Sequence, residues 1–307
     1  MSSPATFLVT GATGNQGGST VRELLKAGYR VHALVRDSSK PQAKELESLG
    51  AVLFVGDYKS ADVIKQAAVG VKGIFINPYP DITDYGRGVA RTVDTLVIST
   101  AIRADKYVEW AEKHPEHLMQ AFGRSKFAAE NVVRESGIKH WTVLRPPWLF
   151  QNLIYPQSQM HFPELHTKRL LTTVIRLDIP FPQLDAHDVG RFAAAVFASP
   201  EKFSGKTIEL AAQHLTLGDS VKEMEKVAGV TIPHNLITPE ELVKTSTDPR
   251  APFRAAIADL QNSTGEFLLL SPKELEALAG YGVPLTTWGE YLEKNQDKLR
   301  ATLGLSG

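Results

Sequence analysis

The chain contains no cysteine, and this excludes a disulfide framework, a zinc–thiolate site and a cysteine nucleophile together. It also lacks net charge, because 34 Lys and Arg balance 34 Asp and Glu. Without a positive excess there is no global pull toward a phosphate backbone, so no nucleic-acid partner is expected. No stretch reaches the ~18 consecutive apolar residues that a membrane-spanning helix needs, so no membrane role is expected. Met1 to Pro4 show neither a basic leader region nor a cleavage pattern, and Leu305-Ser306-Gly307 carries no lipidation or peroxisomal signal. These absences lead to the expectation of a cytoplasmic protein. Its neutral surface leaves a homodimer or a protein partner open. There is no Gly-x-Ser-x-Gly elbow for acyl transfer. The spacings His114/His117 and His161/His166 match no zinc motif, so no metal is expected.

What the sequence does contain is an alternation. Apolar residues make up 43% of its 307 positions and charged residues 22%, ordinary values for a protein with a substantial core. Thr6–Thr10, Arg30–Arg36, Ala51–Val55 and Gly73–Asn77 read as buried strands; Ser19–Ala27, Pro41–Leu49 and Ala61–Ala68 read as helices. Apolar strands bounded by glycine and alternating with helices imply crossover connections, hence a parallel sheet covered on both faces. Farther along, Asp84–Thr92 reads as a short helix and Thr95–Thr100 as a fifth strand. A helix over Phe122–Glu135 and a sixth strand over Trp141–Leu144 follow, the latter stopped by Pro146 and Pro147. Asp188–Ala198 reads as a helix and Thr207–Leu210 as a strand; beyond Pro233 the chain is polar, Pro-punctuated and helical. The expected fold is α/β: a doubly wound parallel sheet of Rossmann type over residues 1–150, with a smaller C-terminal α/β substrate domain over 151–307. Residues 185–212 are expected to return to the first unit.

The first strand runs directly into Gly11-Ala12-Thr13-Gly14-Asn15-Gln16-Gly17-Gly18, and a helix follows. At the first strand-to-helix turn of a βαβ unit, Gly11 permits a tight turn and Gly14 lets the backbone approach a pyrophosphate. Gly17 lets helix and strand pack closely. The helix N-terminus adds free N–H groups and the positive end of its dipole. Thr13, Asn15 and Gln16 complete this candidate cradle, against the alternative of a glycine-rich turn without a ligand. After the second strand the sequence reads Val35-Arg36-Asp37. A carboxylate at this place binds a ribose 2′-hydroxyl, whereas an arginine accepts a 2′-phosphate. Arg36 directly follows the apolar run and is expected to face the ribose, with Asp37 turned into the loop. The expected cofactor is therefore NADP(H); a solvated Arg36 is the alternative. Asp57 is placed either to meet the adenine amino group or to serve as a turn residue. Asn77 and Pro78, at the end of the fourth strand, join the candidate cofactor-binding residues.

Thr10–Gly17, Val35-Arg36-Asp37, Gly56-Asp57, Leu144-Arg145-Pro146-Pro147-Trp148-Leu149-Phe150-Gln151-Asn152 and His187-Asp188-Val189-Gly190 together resemble the NmrA-like branch of the atypical short-chain dehydrogenases/reductases. The resemblance thins over Pro80–Glu116 and after Pro233. It implies an NADP(H)-binding domain, a small C-terminal domain closing a substrate cleft, and an Arg145–Asn152 stretch, Pro146 included, lining the nicotinamide pocket. Carbonyl-reducing relatives use Tyr-x-x-x-Lys, in which the tyrosine protonates the alkoxide and the lysine lowers its pKa and holds the nicotinamide ribose. Here the helix reads Phe122-Gly123-Arg124-Ser125-Lys126. Lys126 is kept as a catalytic and cofactor-binding candidate, but Phe122 has no proton to donate. The alternative for Lys126 is an exposed helix lysine paired with Glu130 at i,i+4. Ser99 is the second catalytic candidate, since related enzymes keep a hydroxyl near the substrate carbonyl where Ser99 and Thr100 close the fifth strand; turn chemistry is its alternative. Tyr155 and His161, just past the nicotinamide motif, are further donor candidates. Trp141 is expected in the core and Trp148 in the pocket wall.

The leading expectation is an NADPH-dependent oxidoreductase reducing a small apolar conjugated carbonyl, quinone or related metabolite without the usual tyrosine. Two alternatives remain. One is a regulatory protein that senses NADP(H) with little turnover; the other is an isomerase or dehydratase on the same fold.

Overall fold

A computed structural model describes residues 4–78 and 93–305, apart from the side chains of residues 111 and 263–267. Strands β1 (Thr6–Val9), β2 (Arg30–Val35), β3 (Val52–Val55), β4 (Gly73–Ile76), β5 (Thr95–Ser99) and β6 (His140–Arg145) join a later strand, β10 (Lys206–Glu209). They form one seven-stranded sheet in the order β10-β6-β5-β4-β1-β2-β3, and every pairing in it is parallel. The order reverses between β1 and β4, and ligands of doubly wound sheets bind in the crevice that such a reversal opens at the strands' C-terminal ends.

The alternation of side chains across a strand accounts for the two buried faces. Phe7, Val9, Phe75, Val97 and Leu144 point into one core, and Leu8, Ile74, Ile76, Leu96, Ile98 and Val143 into the other. Both faces are apolar because helices cover both. The main helices are α1 (Asn15–Lys26), α2 (Pro41–Ser48), α3 (Ala61–Ala67), α4 (Ala104–Lys113), α5 (Met119–Arg134) and α6 (Ala186–Ala198), followed by α7 (Ala251–Leu268) and α8 (Pro272–Ala279). Helix α6 is bound to α1 by the His187 ring. Its Nδ1 lies 3.0 Å from Ser19 Oγ and its Nε2 2.9 Å from Glu23 Oε1. Asp188 accepts from the Thr286 amide and from Arg191. The His187–Gly190 motif thus holds helices together. From the C-terminal third, Ala256, Leu260, Leu268, Leu270 and Leu278 pack into the same core as Phe7 and Val9.

A separate core forms around Phe150, Phe181, Trp288 and Tyr291. Short strands frame it: β7 (Trp148–Leu149), β9 (Pro180–Leu184) and β11 (Gln213–Thr216) in one sheet, and β8 (Leu171–Thr173) with β12 (His234–Leu236) in another. None of these five strands was expected. They are two to five residues long, too short to show a period, and Pro180 and Pro182 within β9 argue against a strand on local grounds.

Other boundaries shift in small ways. Helix α1 begins at Asn15, inside the glycine loop, rather than at Ser19, and α5 begins at Met119 rather than Phe122. Trp141 is only partly buried, packed against the margin of one core instead of within it. The short helix expected over Asp84–Thr92 lies outside the described residues. No described helix is long and apolar enough to cross a membrane.

Candidate functional site

The crevice at the sheet reversal gathers most of the residues singled out in the sequence. Gly11 turns with φ +59°, a left-handed conformation that glycine adopts without penalty, and Gly14 N–H closes the turn onto Gly11 O at 2.9 Å. Helix α1 then starts with no side-chain cap. The first-turn amides of Asn15, Gln16 and Gly17 therefore have no intrahelical partner. A Cβ on Gly17 would stand 2.3 Å from Gly11 O, so the helix approaches the strand more closely than any side chain permits. Two predicted site residues meet here: Ser99 Oγ donates to Gln16 Oε1 at 2.6 Å. Ser99 is fully buried, so in this arrangement its hydroxyl orients Gln16. One neighbour escaped sequence reasoning. The Tyr58 hydroxyl donates to Asn77 O at 2.6 Å and stands 3.1 Å from where a Gly11 Cβ would be. Burial raises its pKa. It packs the turn from the side, and because Asn77 is 19 residues away no local pattern announces it.

At the end of β2 the side chain of Arg36 is exposed and forms no ion pair among the described residues. Asp37 folds away from it: Oδ1 accepts from Ser39 N at 2.8 Å and Ser39 Oγ at 2.6 Å. The Ser39 side chain and then its amide hold the carboxyl below its ordinary range. Asp57 is likewise drawn into a turn, accepting from Lys59 N and Ser60 Oγ at 2.9 Å each.

Lys126 is only 8% exposed, and its Nζ donates to Pro78 O at 2.8 Å. Burial pulls its pKa down from 10.5 to about 8. The Phe122 ring, one helical turn earlier, lies with its centroid 5.5 Å from Nζ. The alternative pairing with Glu130 does not occur, because that carboxylate is taken elsewhere. Glu130 is fully buried and accepts from Thr100 Oγ1 at 2.7 Å, from Arg145 Nε at 2.9 Å and from Arg145 Nη2 at 2.7 Å.

The buried Arg145 guanidinium also donates to Asp105 and Glu209, both at 2.7 Å. Burial works against the Arg145 charge, and the Glu130 hydrogen bond with the Glu209 and Glu130 charges outweighs it, pushing its pKa up. Burial likewise raises Glu209 against the opposing pull of Arg145. The result is a closed ionic knot tying β6, α5, α4 and β10 together. Pro146, the next residue, has its carbonyl fixed by Ile102 N at 2.9 Å.

The chain continues into a small pocket of about 30 Å³ walled by Trp148, His161, Phe162, Thr173, Arg254 and Ile257 among others. His161 packs against Trp148 with ring centroids 4.8 Å apart and the rings tilted by 58°, and burial first, then the Arg254 and Arg250 charges, lowers its pKa to about 4. Tyr155 does not line this cavity; its ring packs on His166. Arg254 had no signal in the sequence beyond sitting in a helical stretch.

A parallel sheet of this order, with a glycine turn and an uncapped helix at its reversal, defines a Rossmann-like α/β protein. The family model described as the NmrA-like family matches residues 3–292, and the chain belongs to that family. It is 26% identical to an NAD(P)H azoreductase of Xenophilus azovorans, over 93% of this chain and 96% of the relative. Among solved structures, an NADPH-dependent quinone oxidoreductase of Escherichia coli complexed with NADPH superposes with a TM-score of 0.70 at 21% identity, covering 94% of this chain and 99% of that one. NmrA, a negative transcriptional regulator in complex with NADP, does so with a TM-score of 0.74 at 19% identity, covering 97% of each.

Proposed function

We propose that the protein is an NADPH-dependent oxidoreductase that reduces a small apolar conjugated carbonyl or quinone. The observation that carries this reading is Lys126: a buried ammonium, held on Pro78 O beside the sheet reversal with its pKa drawn to about 8. A buried, solvent-poor cation is costly to keep, and a lowered pKa makes it a better proton donor near neutral pH.

The residues present fit a nicotinamide dinucleotide. The unpaired amides of the first α1 turn, brought close to the strand end by Gly17, would cradle its pyrophosphate. With Asp37 folded onto Ser39, Arg36 is the charge that would meet a 2′-phosphate. Thr13, Asn77 and Pro78 would border the cofactor, and Pro146 would border its nicotinamide end. Asp57 retains its turn role in this reading, with Oδ2 left for the adenine amino group. The cofactor supplies a hydride when bound. Lys126 holds the ribose side of the site and delivers a proton to the oxygen that gains charge when a conjugated substrate accepts hydride at carbon. Ser99 keeps Gln16 in place. Phe122, at the usual tyrosine position, offers an apolar ring and favours conjugate reduction, in which water or Lys126 provides the proton, over simple ketone reduction.

The E. coli quinone oxidoreductase with NADPH and the azoreductase support the redox reading. The regulator in complex with NADP supports a second one, nucleotide sensing without turnover, which the absent hydroxyl at Phe122 and the sealed Ser99 favour. Calorimetric titration with NADPH and NADH, followed by a panel of quinones and enones monitored by loss of NADPH absorbance, separates them. NADPH preference with turnover is the expected result. Binding without turnover transfers the site to the sensing role, and conversion of a substrate without nucleotide consumption points to isomerase or dehydratase chemistry.

A further inference from the structure

Gln16 stretches across the crevice. It stands in the first turn of α1, beyond the end of β1, and its carboxamide meets Ser99 at the end of β5. Strand β4 lies between β1 and β5, so the side chain passes over its C-terminal end. There Gln16 Oε1 accepts from Ser99 Oγ at 2.6 Å. Ser99 is fully buried, and its hydroxyl has no other acceptor among the described residues. Turning the carboxamide over would strand that buried hydrogen, an arrangement folded proteins avoid. The orientation of Gln16 is thereby set: Oε1 faces Ser99, and the two hydrogens of Nε2 remain to be given. Nε2 has no protein partner among the described residues, and it is not sealed from the crevice, because Gln16 is only half-buried. The backbone of the same residue is also held, since Thr20 Oγ1 donates to Gln16 O at 2.9 Å.

The strand order says which part of a dinucleotide such a donor would meet. Arg36 follows β2, on one side of β1; Ser99 ends β5, two strands from β1 on the other side. With a 2′-phosphate at Arg36 and a pyrophosphate at the α1 amides, the nicotinamide half falls toward β4 and β5. Lys126, held on Pro78 O just past β4, is assigned to the ribose there. The strong acceptor left at this end is the carboxamide oxygen of the nicotinamide. We infer that Gln16 Nε2 donates to that oxygen, and that Ser99 is the positioning residue that keeps the donor of Gln16, not its acceptor, turned toward the cofactor. The inference rests on the nicotinamide reading of the crevice. It adds a contact to the ring's own substituent, which neither the glycine turn nor Arg36 reaches.

Calorimetric titration of wild type, Q16M and S99A with NADPH and with 2′-phospho-ADP-ribose, which lacks the nicotinamide ring, tests it. Methionine keeps the length of Gln16 and removes its donor. Q16M is expected to bind NADPH roughly three- to tenfold more weakly, the value of one neutral hydrogen bond, and to bind 2′-phospho-ADP-ribose as wild type does. S99A frees the carboxamide to turn over and is expected to weaken NADPH about two- to threefold, again sparing 2′-phospho-ADP-ribose. In the Q16M background S99A is expected to add nothing, because Ser99 acts through Gln16. A merely structural serine would not distinguish the two ligands. Should Q16M fail to fold, as judged by circular dichroism, S99A carries the test. Equal losses for the two ligands, or unchanged NADPH affinity in a folded variant, overturn the inference and leave the nicotinamide reading standing. Additive losses in the double variant overturn the role of Ser99. Wild type that binds neither ligand overturns the inference and the nicotinamide reading together.

Discussion

Replacing Lys126 with Met tests whether a functional group is being kept at the expense of stability. In the folded protein burial lowers the ammonium pKa from 10.5 to about 8, about 3 kcal/mol against the charged form at neutral pH. Methionine fills the same volume without that penalty. It leaves Pro78 O without its donor, a loss of about 1 kcal/mol. The expected net gain is about 2 kcal/mol at pH 7, seen as a rise of several degrees in Tm and a higher urea midpoint at unchanged m-value. The sign of the pH dependence follows from proton binding. Between pH 8 and 10.5 the unfolded lysine binds a proton that the folded one has lost, so wild-type stability rises through that window. The advantage of K126M is therefore full below pH 8, vanishes within that window and becomes a deficit of about 1 kcal/mol above pH 10.5, where only the lost hydrogen bond to Pro78 O counts. NADPH turnover by the same variant falls sharply. A variant that is less stable than wild type at pH 7, or a stability difference that ignores pH, would refute the reasoning; unchanged turnover would return Lys126 to a structural role.

R36A is expected to weaken NADPH by about 1.5–3 kcal/mol in calorimetry while sparing NADH, and equal losses for both nucleotides would remove the 2′-phosphate assignment. G17A must move α1 away from Gly11 O, which a Cβ would approach to 2.3 Å. A loss of roughly 1–3 kcal/mol in denaturant unfolding, with nucleotide affinity lost alongside, is expected. E130Q strips the buried charge from the knot around Arg145. About 3 kcal/mol of destabilisation in urea melts is expected, with the NADPH to NADH preference unchanged because the knot does not touch Arg36.

How much of this was legible without coordinates differs from one residue to the next. The Rossmann-like sheet could be read because each of its first six strands is a short apolar run next to a helix, a pattern that rests on local periodicity. The strands of the smaller sheets could not, since two- to five-residue segments that include Pro180 and Pro182 show no period. The turn into Ser39 at Asp37 was legible because an Asp side chain hydrogen-bonds two residues ahead. Phe122 at the tyrosine position was also plain, because it and Lys126 share one face of a helix at i,i+4 spacing.

What lies at the other end of each side chain was decided by the fold. Lys126 finds Pro78 across 48 residues and not Glu130 at i+4. Arg145 reaches Asp105 and Glu209 across 40 and 64 residues. Arg254 meets the backbone of His161 across 93 residues. The sequence by itself determined the glycine turn and the longer helices and sheet strands with their buried faces, because those follow from steric rules acting within a few residues. Tertiary structure alone decided burial, charge pairing and cavities, because these depend on which distant segment packs opposite and whether it brings a carbonyl, a carboxylate or nothing.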